Sequence, residues 1–337
     1  MTEIHFRKVV VDRFGGPEVL RTVETTLAAP PPGHVRLKVL AIGVGFTDLM
    51  ARSGEYLLQR KVPFSPGYEL VGEVVDTGSN VDLAPGVRVA VSLPEMGAYA
   101  EYVTLPAWLA VPVPTGLDTV VAATIPLDYL TALSVLETHA RVGAGDPVLI
   151  QGAGGGVGQA LSQLGKLKGL RMYGTASAEG SAQRLARTGV RFIDYRRDDF
   201  VARMREFEPG GVQAVFDHIG GGNLRKGYRL LKPGGVLVSY AFAGRPGHMV
   251  GDTVRGGARV QLMGLLPGKR TGLCMLPKQA RSHSDWYRES LGRLLTLADK
   301  GDLRPTVGAT FGLAEAAKAH RALEDRAVTG KVVLVTG

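Results

Sequence analysis

An α/β fold, in which a doubly wound parallel sheet is joined to a second, irregular β-rich domain, is what this sequence predicts. Three observations predict it. From about Leu127, short apolar runs alternate with amphipathic segments of helical spacing. The first clear run, Val148-Leu149-Ile150, leads into the glycine cluster Gly152-Ala153-Gly154-Gly155-Gly156-Val157-Gly158, which opens onto the helical segment Gln159–Leu164. Before Leu127, by contrast, β-like runs alternate only with turns.

Residues 1–126 are expected to form the β-rich domain. Val35–Ala41, Gly72–Val75 and Val87–Val91 read as strands. Phe14-Gly15-Gly16-Pro17, Pro30-Pro31-Pro32-Gly33 and Ala84-Pro85-Gly86 read as turns, because Pro presets φ and Gly supplies positive φ. Six further runs, Val148–Ile150, Leu170–Tyr173, Phe192–Tyr195, Ala214–Asp217, Val236–Tyr240 and Val260–Met263, supply the strands of a Rossmann dinucleotide-binding sheet over residues 127–267. Residues 268–337 then return to the first domain, with a helix around Trp286–Asp299 and a closing strand Lys331–Val335. The segment from Gly244 to Ala280 is rich in Gly, Arg and Lys and reads as irregular, long enough to cover a pocket.

Composition narrows the function classes. With 337 residues, 45% of them hydrophobic and 21% charged, the whole chain is expected to fold and is long enough for two domains. Apolar stretches break well before the ~18–20 residues that a membrane helix needs. Met1-Thr2-Glu3-Ile4-His5 lacks the basic-then-apolar order of a signal peptide. No stable membrane insertion and a cytoplasmic location are therefore expected. Cys274 is the sole cysteine, which excludes an intrachain disulfide and a thiolate metal cluster. The formal charge of +9 comes from scattered Lys and Arg rather than a basic stripe, so nucleic acid is not an expected partner. An anionic cofactor accounts for part of the excess.

The glycine cluster is the cofactor site. Ala153 takes the first position of the dinucleotide fingerprint, Gly155 lets backbone approach the pyrophosphate, and Gly158 permits close helix–strand packing. Gly156 and Val157 are counted with them as cofactor-binding, and the free N–H groups and positive dipole end of the helix that follows face the diphosphate. The second strand ends Tyr173-Gly174-Thr175-Ala176-Ser177, without the acid that NAD sites carry. Glu179 lies close to the usual offset of that acid and is a counter-signal. Ser177, Ser181, Arg184 and Tyr195 are placed to surround a 2′-phosphate, so NADPH is expected over NADH.

Family resemblance enters at Ala41–Tyr56 and at Pro66-Gly67-Tyr68-Glu69. With the glycine cluster, these segments resemble the quinone oxidoreductase branch of the medium-chain dehydrogenase/reductase superfamily. Phe46-Thr47-Asp48-Leu49-Met50-Ala51-Arg52, Gly174–Ala178, Ile193-Asp194-Tyr195, Lys226–Pro233 and Thr329–Leu334 resemble its vesicle amine transport protein subfamily. The resemblance, which runs nearly end to end, implies a GroES-like β-rich catalytic domain beside the Rossmann domain. Zinc relatives carry a Cys near Gly45 or Phe46 and a His where Tyr68 stands. Neither is present, nor are the cysteines of a structural zinc loop at Ser92–Gly97, so no zinc is expected.

What the resemblance implies for the site follows residue by residue. Tyr56 matches the tyrosine that donates a proton in related enoyl-thioester reductases. Tyr68 replaces the metal histidine, and Asp48 orients the loop. Thr131, Tyr240, Ala241 and Leu265-Leu266 are expected near the nicotinamide, Tyr195 by the adenosine ribose, and Lys331 and Gly45 among the cofactor residues. Gly45 stands where quinone oxidoreductases usually show Asn, which removes a side-chain amide from the site. An edge strand near 260–266 is expected to pair two copies into a homodimer.

The expected activity is zinc-independent, NADPH-dependent reduction of a small-molecule quinone or α,β-unsaturated carbonyl compound. Without a Lewis acid, alkoxide stabilisation is lost. Charge delocalised onto a carbonyl oxygen needs only hydrogen bonds and a proton, which a phenol supplies at neutral pH. An enoyl-thioester or tailoring reductase, and a nucleotide-binding scaffold or trafficking accessory without turnover, are the alternatives.

Overall fold

The computed structural model describes residues 3–177 and 181–337. Strand β1 (Ile4–Val11) pairs antiparallel with β2 (Leu20–Leu27) as a separate two-stranded ribbon. Strand β3 (His34–Val44) follows the Pro-rich turn. Its Val35, Leu37, Val39 and Ala41 are fully buried while Lys38 faces out, the two-residue alternation of a half-covered strand. Helix α1 (Phe46–Arg52) comes next, then β4 (Glu69–Thr77), β5 (Arg88–Ser92), β6 (Tyr102–Pro106) and β7 (Val111–Pro112). With β14 (Val307–Gly312) and β15 (Lys331–Val335), these strands form a seven-stranded sheet in the order β14-β15-β3-β4-β5-β7, with β6 also paired to β3.

The second sheet is parallel and six-stranded, in the order β10-β9-β8-β11-β12-β13, where β8 is Pro147–Gln151, β9 Arg171–Ala176, β10 Val190–Asp194, β11 Val212–Asp217, β12 Leu231–Ser239 and β13 Arg270–Leu273. This is the dinucleotide-binding order, which reverses direction between β8 and β11 and places ligands beyond the carboxyl ends of those two strands. Helices α4 (Gly156–Leu167), α5 (Ser181–Arg187), α6 (Phe200–Phe207) and α7 (Gly222–Leu230) are the crossovers, with α2 (Thr119–Ala122) and α3 (Asp128–Leu133) preceding them in the chain. All five residues of β8 are buried, as a central strand covered on both faces requires. Leu149, Ile193, Val215, Leu224 and Leu237 pack with Phe200 and Val260 in one apolar cluster. One compact unit holds the chain up to Leu130 and from Pro277 onward; the other runs from Thr131 to Leu276.

Three sequence-based expectations are corrected. Val260–Met263 is not a strand but part of helix α8 (Met249–Gly264), and the sixth strand is β13. A short apolar run does not by itself separate a strand from a buried helical turn. The glycines of α8 lower its intrinsic helix preference, but Gly256 lets the Phe242 ring press on the helix backbone and Val260 is 1% exposed, so packing prevails. The 244–280 segment is accordingly not irregular: it holds α8, β13 and the start of α9 (Leu276–Ser282). The sixth strand thus lies ten residues later than expected, and the sheet edge belongs to β13 rather than to residues 260–266.

Candidate active site

The glycine cluster turns sharply out of β8. Gly152 has φ +71°, a conformation that side-chain-bearing residues rarely adopt. Its N–H donates to Thr175 Oγ1 at 3.1 Å, and the Ala153 N–H donates to the Thr175 carbonyl at 2.8 Å, tying the turn to β9. Gly155 N-caps α4. A side chain on Gly158 would sit 2.6 Å from the Gly152 carbonyl oxygen and 2.7 Å from Ala153 Cα, so this close helix–strand approach requires glycine. Gly155 meets only the Gly152 oxygen, at 3.6 Å, and leaves the first N–H groups of α4 open to an anion.

Next to the turn, on α5, Ser181 Oγ accepts a hydrogen bond from Arg184 Nη2 at 3.4 Å. It also lies 3.1 Å from where a Cβ on Gly154 would be. Arg184 Nε and Nη1 are buried and have no hydrogen-bond partner, and burial lowers the guanidinium pKa. Two idle donors beside the cradle are what a phosphate would satisfy. Ser177 follows the end of β9, and Tyr195, half exposed, donates its backbone N–H to the Ala176 carbonyl. Glu179 lies outside the described residues.

Sequence reasoning missed Asp217 and His218 at the end of β11. The His218 ring fills the space beside Gly152. Its Nδ1 is 3.0 Å from Tyr240 Oη, and the ring also bonds the Gln151 backbone. Because the ring donates to that carbonyl, Nδ1 is the acceptor and Tyr240 the donor. Burial pulls His218 down to about 4, so the imidazole is neutral. Tyr240 is thereby held in place. Asp217 accepts the Gly220 N–H at 2.8 Å, its Oδ2 is buried without a partner, and burial pushes its carboxyl up to about 7. The one sequence signal for both was position, at the carboxyl end of a strand beside the order reversal. Thr131 is nearly buried on α3, and the Ala241 carbonyl accepts from Ser239 Oγ. Leu265, expected along the nicotinamide wall, caps the C-terminus of α8 and is 81% exposed.

In the other unit, Asp48 on α1 is 1% exposed and accepts the Gly45 N–H at 2.8 Å and the Gly67 N–H at 3.0 Å. One carboxylate thus fastens the start of α1 to the loop that carries Tyr68. Tyr68, 4% exposed, meets Tyr56 edge to face with ring centroids 6.1 Å apart. Burial raises both phenols above their ordinary value, so both keep their protons at neutral pH. Thr47 Oγ1 is buried without a partner and lies 3.3 Å from where a Gly45 Cβ would be, so a hydroxyl borders the gap that Gly45 leaves.

Comparison with known proteins gives the lineage. Residues 31–115 match the alcohol dehydrogenase GroES-like domain, and residues 189–334 the family described as zinc-binding dehydrogenase. The human synaptic vesicle membrane protein VAT-1 homolog is 32% identical over 98% of this chain and 86% of its own length. The 2-haloacrylate reductase of a Burkholderia species is 33% identical over 97% of this chain and 98% of its own. The chain belongs to the medium-chain dehydrogenase/reductase superfamily. Among solved structures, the Escherichia coli quinone oxidoreductase complexed with NADPH superposes with a TM-score of 0.84 at 26% identity, covering 98% of this chain and 99% of that one.

Among the described residues no cluster of three His, Cys, Asp or Glu side chains is placed to hold a metal ion. Cys274 is buried, bonded to Ser134 Oγ at 3.5 Å, and burial pushes its thiol up to about 11. Lys331, carried over as a cofactor residue, has its ammonium committed to Glu69 at 2.5 Å and Asp128 at 3.1 Å. Burial acts to lower it, but Asp128 and Glu69 outweigh that and hold the charge on. Glu69 in turn accepts the Leu127 N–H at 2.8 Å, and burial raises its carboxyl against the pull of Lys331.

Proposed function

We propose that this oxidoreductase is a zinc-independent, NADPH-dependent reductase of quinones or α,β-unsaturated carbonyl compounds. The observation that carries the reading is the Tyr56–Tyr68 phenol pair, packed edge to face and kept protonated by burial. Arg184 supports the choice of cofactor. Its idle Nε and Nη1, with Ser181 beside Gly154, suit a 2′-phosphate, whereas a 2′-hydroxyl would leave the charge unmatched. The cradle fits the pyrophosphate, since Gly155 keeps the N-terminus of α4 clear and Gly158 lets the helix approach.

When bound, NADPH supplies the hydride. The chain's own residues handle the charge that results on the substrate oxygen. Tyr56 donates a hydrogen bond and then a proton to that oxygen, and Tyr68, packed edge to face against Tyr56, orients it. Asp48 keeps the Tyr68 loop in register through the Gly67 N–H. Tyr240, locked by His218, is a wall rather than an acid. The reading is tested by following NADPH consumption against 1,4-quinones, enones and enoyl thioesters, with NADH in parallel. Turnover with a quinone or enone, faster with NADPH, is expected. Preference for enoyl thioesters would move the assignment to that class, and binding without turnover of any acceptor would overturn it.

A further inference from the structure

Asp48 and Arg52 stand four residues apart on α1, hence on one face of the helix. Both are buried, at 1% and 3% exposure, and a chain of side chains distant in sequence closes between them. Tyr99 Oη lies 3.0 Å from His320 Nε2, although the two residues are separated by 221 positions. His320 Nδ1 lies 3.4 Å from Arg52 Nη1, and the Tyr99 hydroxyl is near enough to the Asp48 carboxylate to favour its ionised form. Tyr99 and His320 are both 0% exposed. Arg52 additionally pairs with Glu324, which lies with His320 on the helix Ala316–Glu324, and its Nε donates to the Gly15 carbonyl at 3.1 Å. Tyr99 is also pressed against the loop it serves: a Cβ on Gly67, which has φ +97°, would lie 2.6 Å from the Tyr99 ring.

Proton inventory fixes the direction of this chain. A guanidinium has only donors, so His320 Nδ1 accepts from Arg52 and Nε2 carries the hydrogen. Nε2–H then donates to the Tyr99 oxygen, and Tyr99 turns its own O–H onto Asp48. With the Gly45 and Gly67 N–H groups, every hydrogen bond on Asp48 points inward. The reverse order would need a protonated Asp48 donating to Tyr99, and an Nδ1–H facing the guanidinium. Burial, then the neighbouring Arg52 charge, pulls His320 down to about 3, which keeps the ring neutral. The chain does not carry protons, because arginine does not release one. It is a one-way polariser.

We propose that Tyr99 and His320 are positioning residues that hold Asp48 as the anion which fastens Gly45 and Gly67, and with them the Tyr68 loop. The link to catalysis rests on the reductase reading; the state of Asp48 does not. The charged and titratable groups that act on Asp48 are Tyr56, Tyr68 and Tyr99, with Lys331 beyond them bearing Glu69 and Asp128.

The experiment is a pH titration of the intact protein, labelled with 13C at the aspartate side-chain carboxyls and read by NMR without substrate or cofactor. Asp48→Asn identifies the resonance. A wild-type midpoint near about 6 is expected, since burial raises the group against the pull of its N–H donors. Tyr99→Phe removes the last donor and moves the midpoint upward by about one pH unit. His320→Leu moves it upward by less, through the unpolarised Tyr99. In His320→Gln an amide oxygen accepts from Arg52 and its NH2 donates to Tyr99, which keeps the wild-type midpoint. An unchanged midpoint in both Tyr99→Phe and His320→Leu would overturn the proposal, as would His320→Gln shifting as far as His320→Leu. If Tyr99→Phe does not fold, the two His320 variants decide. Because no turnover is read, an inactive enzyme would leave this result standing.

Discussion

Lys331 Nζ and Glu69 Oε1 meet at 2.5 Å beneath a surface that exposes almost none of either side chain. Asp128 is the second partner of the same ammonium. Removing one member of a buried ion pair strands the other, at about 3–5 kcal/mol. Lys331→Met is therefore expected to lose stability on that scale in urea unfolding, while Glu69→Gln, which leaves Asp128 on the ammonium, loses less. If Lys331→Met instead kept its stability and weakened NADPH binding, the lysine would be the cofactor residue that the resemblance implies.

Asp217 offers a stability test with a defined sign. Its carboxyl rises from 3.8 to about 7 on folding because it is buried, so the unfolded chain loses that proton first. The stability tied to the proton is full below about 4 and is lost as pH rises through about 7, at about 1.4 kcal/mol per pKa unit. Asp217→Asn keeps the acceptor for the Gly220 N–H and does not titrate. Urea unfolding at pH 5 and pH 8 should find the variant gaining on wild type at the higher pH. A constant difference between the two would refute the shift.

Arg184→Gln should lower kcat/KM for NADPH by about 10–100-fold, the loss of a charge-assisted contact of roughly 1.5–3 kcal/mol, and leave NADH nearly unchanged. Equal losses with both cofactors would show that the guanidinium does not meet the 2′-phosphate.

Tyr56→Phe removes a proton donor, a change that costs about 10²–10⁴ in rate where general acid catalysis operates. The loss is expected in kcat, with KM for NADPH little altered. Unimpaired turnover would hand the acid role to another group, of which Thr47, with its idle hydroxyl beside Gly45, is the first to examine.

The exposed edge of β13 and the uncovered Leu262, Leu265 and Leu266 bear on assembly. A homodimer built on that edge is expected to give twice the chain mass in sedimentation, and Thr271→Pro, which removes a strand N–H, to weaken it. A monomer at micromolar concentration would end that expectation.

Much of the fold was legible because its signals are local. The apolar run of β8, the glycine turn and the helical spacing of α4 lie within twenty residues of one another, and each implies the next. The strand at 260–263 was misread because Val260 and Met263 satisfy a helix face as well as a short strand, and the deciding contact, Gly256 against Phe242, is tertiary. The site divides the same way. Gly155, Gly158, Tyr56 and Tyr68 stand in motifs. Tyr99, His218 and His320 act through partners that sequence spacing does not reveal, as the 221-residue separation of Tyr99 from His320 shows.

Hydride transfer to carbon is the central claim, and deuterium tests it most directly. The protein is turned over with an enone and NADPH carrying deuterium at C4, each of the two C4 stereoisomers in turn, and the product is read by NMR. One stereoisomer is predicted to leave a single deuterium on the carbon β to the carbonyl, with the other labelling nothing. Saturated product without deuterium from either, or no product while the cofactor binds, would contradict the account.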